Sequence, residues 1–407
     1  MSTYVFKAMD VAGAPLRGQV DAESKQAVSD QLRARGLVIL EIAEKHSSRE
    51  INITLFERIT LSDLAIFSRQ LATMVSSGMT ILRALFVLEE QTEVKKLKAV
   101  IVLVRKDVEA GLSFSVALSR HPKIFSPLFI AMVRAGEIGG VLEDSLVRIA
   151  DQLEKEDNLR RQVRSAMVYP SVVLSVALVV MIVLVVYIVP VFAGVLKEFA
   201  TTSSGQSLPA MTQVTVDVSH AITGYWYIFI AGAIAIVVSF TRWKTSETGR
   251  PQWDALRLKI PFKIGDIVQK ISIARWARTF SALTSAGVPL LEALDITGRS
   301  AGNEVVARVM TDVIDSVKRG GTISEPLKES TVFPMMVSHM VAVGESTGEL
   351  DWMLAKIADF YEERVAASVK ALTSIIEPVM IVFIGGMVGF IVIAMYLPLF
   401  KVYNEVQ

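Results

Sequence analysis

Three long runs without a charged residue dictate what this chain can become. Ser165 to Leu196 contains none, and within it Ser171 to Val189 supplies 19 largely aliphatic positions. At 1.5 Å per residue a helix of that length crosses the roughly 30 Å of bilayer hydrocarbon. Ala221 to Thr241 is a second run, bounded by His220 and Arg242, with Tyr225, Trp226 and Tyr227 at one end, where amphipathic rings favour the membrane interface. Pro378 to Phe400 is a third, between Glu377 and Lys401. A soluble core does not ordinarily hold three such runs, so the sequence predicts three membrane spans.

Between the spans the chain is polar. The 407 residues are 52% hydrophobic yet 20% charged, a mosaic of soluble units joined to apolar segments, with room for two or three of them. A net charge of +1 creates no field that gathers nucleic acid, so no nucleic-acid partner is expected. Cysteine is absent, which closes disulfide, thiolate-metal and cysteine-nucleophile chemistry. Met1 to Asp10 shows no basic stretch followed by an apolar core, so no cleavable signal peptide is expected.

Basic residues orient the spans. Lys155, Arg160, Arg161 and Arg164 precede the first, Arg242, Lys244 and Arg250 follow the second, and Arg364 and Lys370 precede the third, whereas the opposite side has Lys197 and Lys401. By the positive-inside rule the N-terminus and both large polar regions are cytoplasmic, and Lys197 to His220 and the C-terminus lie outside. The spans hold no interior Asp, Glu, Lys, Arg or His, which disfavours a transporter. Glu377 stands at the entrance of the third span, where it reads as a carboxylate capping a helix N-terminus.

The chain is duplicated. An offset of 209 residues lays Phe67-Ser68-Arg69-Gln70-Leu71 over Trp276-Ala277-Arg278-Thr279-Phe280, and the segment around Gly78 over that around Gly287. After one deletion the offset becomes 208, placing Gly136-Glu137 over Gly344-Glu345, Pro170 over Pro378 and Pro190 over Pro398. The first and third spans are therefore equivalent, and the repeated unit is a cytoplasmic domain plus one membrane helix. Helical spacing of apolar residues, punctuated by Gly and Pro, makes each copy a small all-helical bundle. Ser62 to Ser76 is one helix, Gly78 suits a left-handed cap, and Thr80 or, in the second copy, Pro289 begins the next helix.

Val141 to Tyr169 and Glu349 to Glu377 are each 29 residues free of Gly and Pro, about 43 Å as helices, and each leads straight into a span. Leu142, Leu146, Ile149 and Leu153 in one, and Leu350, Leu354, Ile357 and Tyr361 in the other, form matching seams on one helix face. These segments read as stalks that transmit rotation or tilt of a bundle to the membrane. Tyr169-Pro170 and Glu377-Pro378 mark the membrane entries, where proline either kinks the helix or is simply tolerated. Gly385 and Gly389, four apart in the third span, permit close helix approach and point to a homo-oligomer.

Ahead of the first bundle, Tyr4 to Met9 and Arg17 to Ala22 read as strands around an Asp10 to Gly13 turn, Ser24 caps a helix ended by Gly36, and Leu37 to Ile42 is another strand. The predicted architecture is an all-α polytopic membrane protein with a small α/β N-terminal element. It divides into an N-terminal module over 1–45, a linker over 46–60, a first bundle over 61–168, a span over 169–193, an outer loop over 194–220, and a second span over 221–241. A second bundle over 242–376, a third span over 377–400 and an outer tail over 401–407 complete it. The N-terminal module reads as an interaction element ahead of a mere extension of the bundle.

The pattern resembles the type II secretion system F domain family, the inner-membrane platform proteins of type IV pili and type II secretion systems. The resemblance rests on Tyr4-Val5-Phe6-Lys7-Ala8-Met9-Asp10 with Gly13 and Gly18, on Gly78 and Gly287, on Ala135-Gly136-Glu137 with Gly139 and Gly140, on Gly344-Glu345 with Gly348 and Leu350, and on Tyr169-Pro170 with Glu377-Pro378. It implies bundles that engage a hexameric cytoplasmic assembly ATPase, and membrane helices that work in the lipid with other inner-membrane components to gather pilin or pseudopilin subunits into a filament. A pilus, a secretion pseudopilus and an adhesion pilus all fit. The second copy departs from the first after its glutamate, Ser346-Thr347-Gly348 replacing Ile138-Gly139-Gly140, so the two bundles need not bind alike.

Glu137 and Glu345 are the first candidates for contacting a partner or an ion. A local role ranks ahead, as carboxylates accepting backbone N–H groups at the next helix start. Two isolated carboxylates make no metal site, and no cofactor is expected. His46, His121, His220 and His339 are scattered, and no zinc, nucleophile-elbow or nucleotide-loop motif occurs, so no catalysis is expected. A signalling receptor would need a larger outer sensor than Lys197 to His220, although Ser203 to Pro209 has the position to touch a pilin.

Overall fold

The computed structural model describes residues 2–9, 15–22, 25–34, 36–44, 58–192, 194, 210–261 and 263–405, which fall into two units, Met1–Arg58 and Ile59–Gln407. The first unit holds strands β1 (Ser2–Met9), β2 (Pro15–Ala22) and β3 (Val38–Glu44) and helix α1 (Lys25–Ala34). Both outer strands pair antiparallel with β1 in the order β2-β1-β3. Tyr4, Phe6 and Ala8 point to one face of β1, as the two-residue period requires, and bury with Val28 of α1. The expected Asp10 to Gly13 turn, the Ser24 cap, residues 46–57 of the linker and the Ser203 to Pro209 segment lie outside the described residues.

In the second unit one helical order occurs twice. The first bundle is α2 (Leu61–Ser76), α3 (Ile81–Gln91), α4 (Lys95–Glu109), α5 (Phe114–Ser119) and α6 (Pro127–Gly139), followed by α7 (Leu142–Val183). After α8 (Ala210–Gly224), α9 (Trp226–Thr245) and α10 (Gly249–Lys259), the second bundle repeats the order as α11 (Ile264–Ser285), α12 (Leu290–Ser300), α13 (Glu304–Lys318), α14 (Ser324–Glu329), α15 (Met335–Thr347) and α16 (Leu350–Glu405). Short polar signals start the helices. Thr60 and Asp63 form a reciprocal capping box on α2, and Ser126 caps α6 with Pro127 in its first turn. Thr80 occupies the cap position of α3, but its hydroxyl makes no capping bond. One continuous apolar core runs through both bundles, with Phe114, Phe129, Trp276 and Phe280 fully buried.

Among the described residues three helices are long and apolar enough to cross a membrane. The seam residues Leu146, Ile149 and Leu153 of α7, and Leu354, Ile357 and Tyr361 of α16, are buried against their bundles. From there α7 runs through Pro170 and, by way of a π-helical turn at Leu184–Ile188, on to Phe192. The 56 residues of α16 pass Pro378 without a break, about 84 Å of helix. Glu377 therefore does not cap a helix N-terminus. It lies inside α16, where backbone N–H groups are already paired to the preceding turn.

The two stalks lie side by side and parallel. Leu159 and Val163 of α7 pack near Val365 and Val369 of α16, and farther along Leu174 to Leu184 faces Phe383 to Ile391 around an apolar crevice of about 250 Å³. The second span differs from the expected 221–241. The chain breaks at Tyr225, with φ −119° and ψ 24°, and α9 then runs past Arg242 and Lys244 to Thr245. Before the break, α8 packs Val216 with Val185, Val189 and Ile391. Its Ser219 hydroxyl donates to the Val185 carbonyl in the π-turn at 2.6 Å, and Thr212 donates to the Ala394 carbonyl at 2.5 Å.

Candidate functional site

The site with the strongest internal support is the joint between each bundle and its stalk, because it is built twice. In the first copy the Arg69 guanidinium of α2 reaches across to α7. Its Nε donates to Glu154 Oε1 and its Nη2 to Glu154 Oε2, both at 2.7 Å, and Nη2 also pairs with Asp151. In the second copy Arg278 of α11 donates to Glu362 at 2.8 Å and to Asp359 at 2.5 Å on α16. The carboxylates stand one helical turn apart on the stalk and converge on a planar fork, a geometry that a lysine does not match.

Burial distinguishes the copies. The Arg278 side chain is 11% exposed and that of Arg69 36%. Hydrogen bonds donated to Glu154 and then to Asp151 raise the Arg69 pKa, and the bond from Arg69 holds the Glu154 carboxyl below its usual range. For Arg278 burial pulls the pKa down, but the bonds to Glu362 and Asp359 outweigh it and the net shift is upward. Burial also raises the Tyr361 phenol on the same stalk.

A second duplicated element ties the bundle end to the joint. Glu137 of α6 accepts the N–H groups of Phe114 at 2.6 Å and Ser115 at 3.1 Å, and Glu345 of α15 accepts those of Ile323 at 2.5 Å and Ser324 at 3.0 Å. Each carboxylate thus satisfies the start of a short helix lying earlier in the chain, not the stalk that follows it. Beside them Gly136 and Gly344 let α6 and α15 approach the stalks closely. A Cβ on Gly136 would meet Ser145 Oγ and, at 2.7 Å, Ser145 Cβ, and one on Gly344 would lie 3.0 Å from Leu350 Cα. Gly140 and Gly348 then turn the chain into the stalk with φ of 70° and 78°, a left-handed conformation that suits glycine.

The remaining sequence candidates stand apart from this joint. Gly78 and Gly287 end α2 and α11 at φ 85° and 76°. At the expected membrane entries Pro170 is buried and Tyr169 exposed, whereas Glu377 and Pro378 are both exposed. A Cβ added at Gly385 or Gly389 would meet nothing within 4 Å among the described residues. Among the described residues no group of three His, Asp or Glu side chains converges as metal ligands. Sequence reasoning aligned Arg69 with Arg278 but missed their partners. The available signal was Asp151-Gln-Leu-Glu154 recurring as Asp359-Phe-Tyr-Glu362 at the same offset as the Gly-Glu pairs.

The duplication itself matches a known family. A family model described as type II secretion system (T2SS), protein F, matches this chain twice, over residues 67–190 and 276–398, and the N-terminal domain model of the same protein matches residues 1–43. The chain belongs to the type II secretion system protein F family. Each F-domain match contains one arginine clasp, one Gly-Glu pair and one span. A Type IV pilus assembly protein PilC of Thermus thermophilus is 43% identical over 99% of this chain and 98% of its own length. The PilC of Myxococcus xanthus is 37% identical over 99% of this chain and 96% of its own. A Type II secretion system protein F of Vibrio cholerae is 31% identical over 99% of both chains.

Proposed function

We propose that this chain is the inner-membrane platform of a type IV pilus assembly machine, non-enzymatic, coupling a cytoplasmic assembly ATPase to the insertion of pilin subunits into a filament. The observation that carries the reading is the unbroken helix from each arginine clasp into the membrane. A head fixed to its stalk by a two-pronged ion pair passes displacement to the span, where a flexible linker would absorb it. Identities of 43% and 37% to two PilC proteins, against 35% and 31% to two secretion proteins F, favour a pilus client over a secretion pseudopilus.

In this reading the N-terminus and both bundles face the cytoplasm and the C-terminus the periplasm, as the basic residues flanking the spans favour. The bundles engage the ATPase, and the parallel first and third spans, with the apolar crevice between them, meet the membrane-embedded clients. Both Gly-Glu pairs are structural in this scheme: Glu137 and Glu345 hold the heads in shape and are not contact residues. Deleting the gene should abolish filaments while the ATPase stays folded and active in solution. Wild-type piliation in the deletion strain would refute the platform role.

A further inference from the structure

The two bundles of one chain touch through unlike faces. Bundle 1 presents α6 and bundle 2 presents α11 and α12, with Arg134 of α6 paired to Glu292 of α12 at 3.4 Å beside a crevice lined by Ile138 and Val141 on one side and Val288 and Pro289 on the other. Such a head-to-tail contact leaves one copy of each face unused. The unused faces are α15 of bundle 2, equivalent to α6, and the α2–α3 edge of bundle 1, equivalent to α11–α12.

Burial shows that both are open. Leu128 and Ala131 of α6 are 7% and 5% exposed, while the equivalent Met336 is 39% exposed and His339 is exposed. Val343, equivalent to Ala135, is 45% exposed. On the other face Thr279 is 2% exposed where its equivalent Gln70 is exposed, and Val288 is buried where Met79 is only partly covered.

We infer that α15 of one chain docks on the α2–α3 edge of a second copy, in the way α6 docks on α11–α12 within a chain. Two features favour a second copy as the occupant. The first is geometric: the stalks are parallel, so the operation that carries repeat 1 onto repeat 2 turns about an axis along them, and repeating it keeps every copy in the same membrane with its heads on the same side. The second is charge. Glu349 stands where Val141 lines the internal crevice, and Arg83 stands where Glu292 does, so the copy-to-copy crevice brings an acid and a base together. Lower on the stalks the sign changes. Lys155 lies 3.9 Å from Asp359 within a chain, whereas the equivalent pair, Glu363 and Asp151, is acidic on both sides. Neighbouring copies therefore join through their heads and hold their stalks apart.

The absence of cysteine makes the test direct. The full chain carrying Arg83→Cys and Glu349→Cys is expressed in membranes and treated with a short bismaleimide, beside an internal control carrying Arg134→Cys and Glu292→Cys. The double variant is expected to give a ladder of dimers and higher species on a denaturing gel, each single variant to stay monomeric, and the two single variants expressed together to stop at a dimer. Self-linking of either single variant would show a like-on-like interface and overturn the proposal, as would monomer alone from the double variant while the control closes. The inference builds on the platform reading, and the two fail separately. Filaments lost on deletion without an 83-to-349 link sink the interface alone, and a link in a strain that still makes filaments after deletion sinks the platform role alone.

Discussion

Arg278 donates to Glu362 at 2.8 Å across the joint between α11 and α16, and the same bond recurs between Arg69 and Glu154 at 2.7 Å. An apolar seam by itself lets two helices slide or rotate by part of a turn, because dispersion contacts are not directional. A guanidinium fork held by carboxylates one turn apart fixes both the height and the rotation of the stalk against its bundle. The seam supplies adhesion and the clasp supplies register.

Removing the buried clasp should cost more than removing the exposed one. Arg278→Met leaves Glu362 without its partner, while Asp359 keeps Lys155 at 3.9 Å. The expected loss is about 2 kcal/mol, as for hydrogen bonds to a charged group whose carboxylate partners remain partly exposed. Arg69→Met, at a more exposed joint, should lose about 1 kcal/mol. Thermal unfolding of the purified protein in detergent reads both, and equal losses would show that burial does not set the strength of the joint.

The first clasp should also be acid-sensitive. The Glu154 pKa is lowered in the folded protein by the hydrogen bond from Arg69, so its contribution is complete above the unfolded carboxyl value of about 4.3 and disappears as pH falls through the lower folded value. Glu154→Gln should be less stable than the parent at pH 7, and the difference should shrink steadily below about pH 4. A difference that stays constant down to pH 2 would mean that Glu154 acts by packing and not by charge.

Gly136→Ala should destabilise the bundle by about 1 to 3 kcal/mol through overpacking, since the new methyl meets Ser145 on the stalk. Adding Ser145→Gly removes the nearest obstacle and should recover part of the loss. Because Leu142 Cα remains 3.0 Å from the added carbon, recovery should be incomplete. Melting curves of the single and double variants measure this, and full recovery would place the whole clash on the serine.

The spans, the duplication and the stalk seams were legible because each is a repeated pattern, in hydropathy, in offset or in helical phase. The boundaries were less so. Glu377 reads as a helix start because charge ends where the apolar run begins, yet backbone pairing in α16 continues through that point. Arg242 reads as a helix end for the same reason, but α9 carries it and Lys244 in its last turn, where long stems let the charges reach water. The clasp was hidden for another reason. Asp151 and Glu154 lie 82 and 85 residues from Arg69, and only folding α2 onto the stalk turns three surface-like residues into a site.

The π-turn in the first span depends on a helix that the sequence reads as an outer loop. A π-turn widens the ring of backbone pairing and disturbs the regular ladder, and inside a membrane a displaced carbonyl has no water to accept from. Ser219 of α8 supplies the donor to the Val185 carbonyl, and Thr212 does the same for the Ala394 carbonyl of the third span. Together they tie α8 to both parallel spans. Ser219→Ala and Thr212→Val should each cost about 0.6 kcal/mol, typical of such bonds in membranes. The more telling readout is hydrogen exchange, which should speed up at Val185 to Val189 in Ser219→Ala while staying at parent rates in Thr212→Val. Unchanged exchange in Ser219→Ala would mean that the π-turn is held by packing of Val185 and Val189 alone.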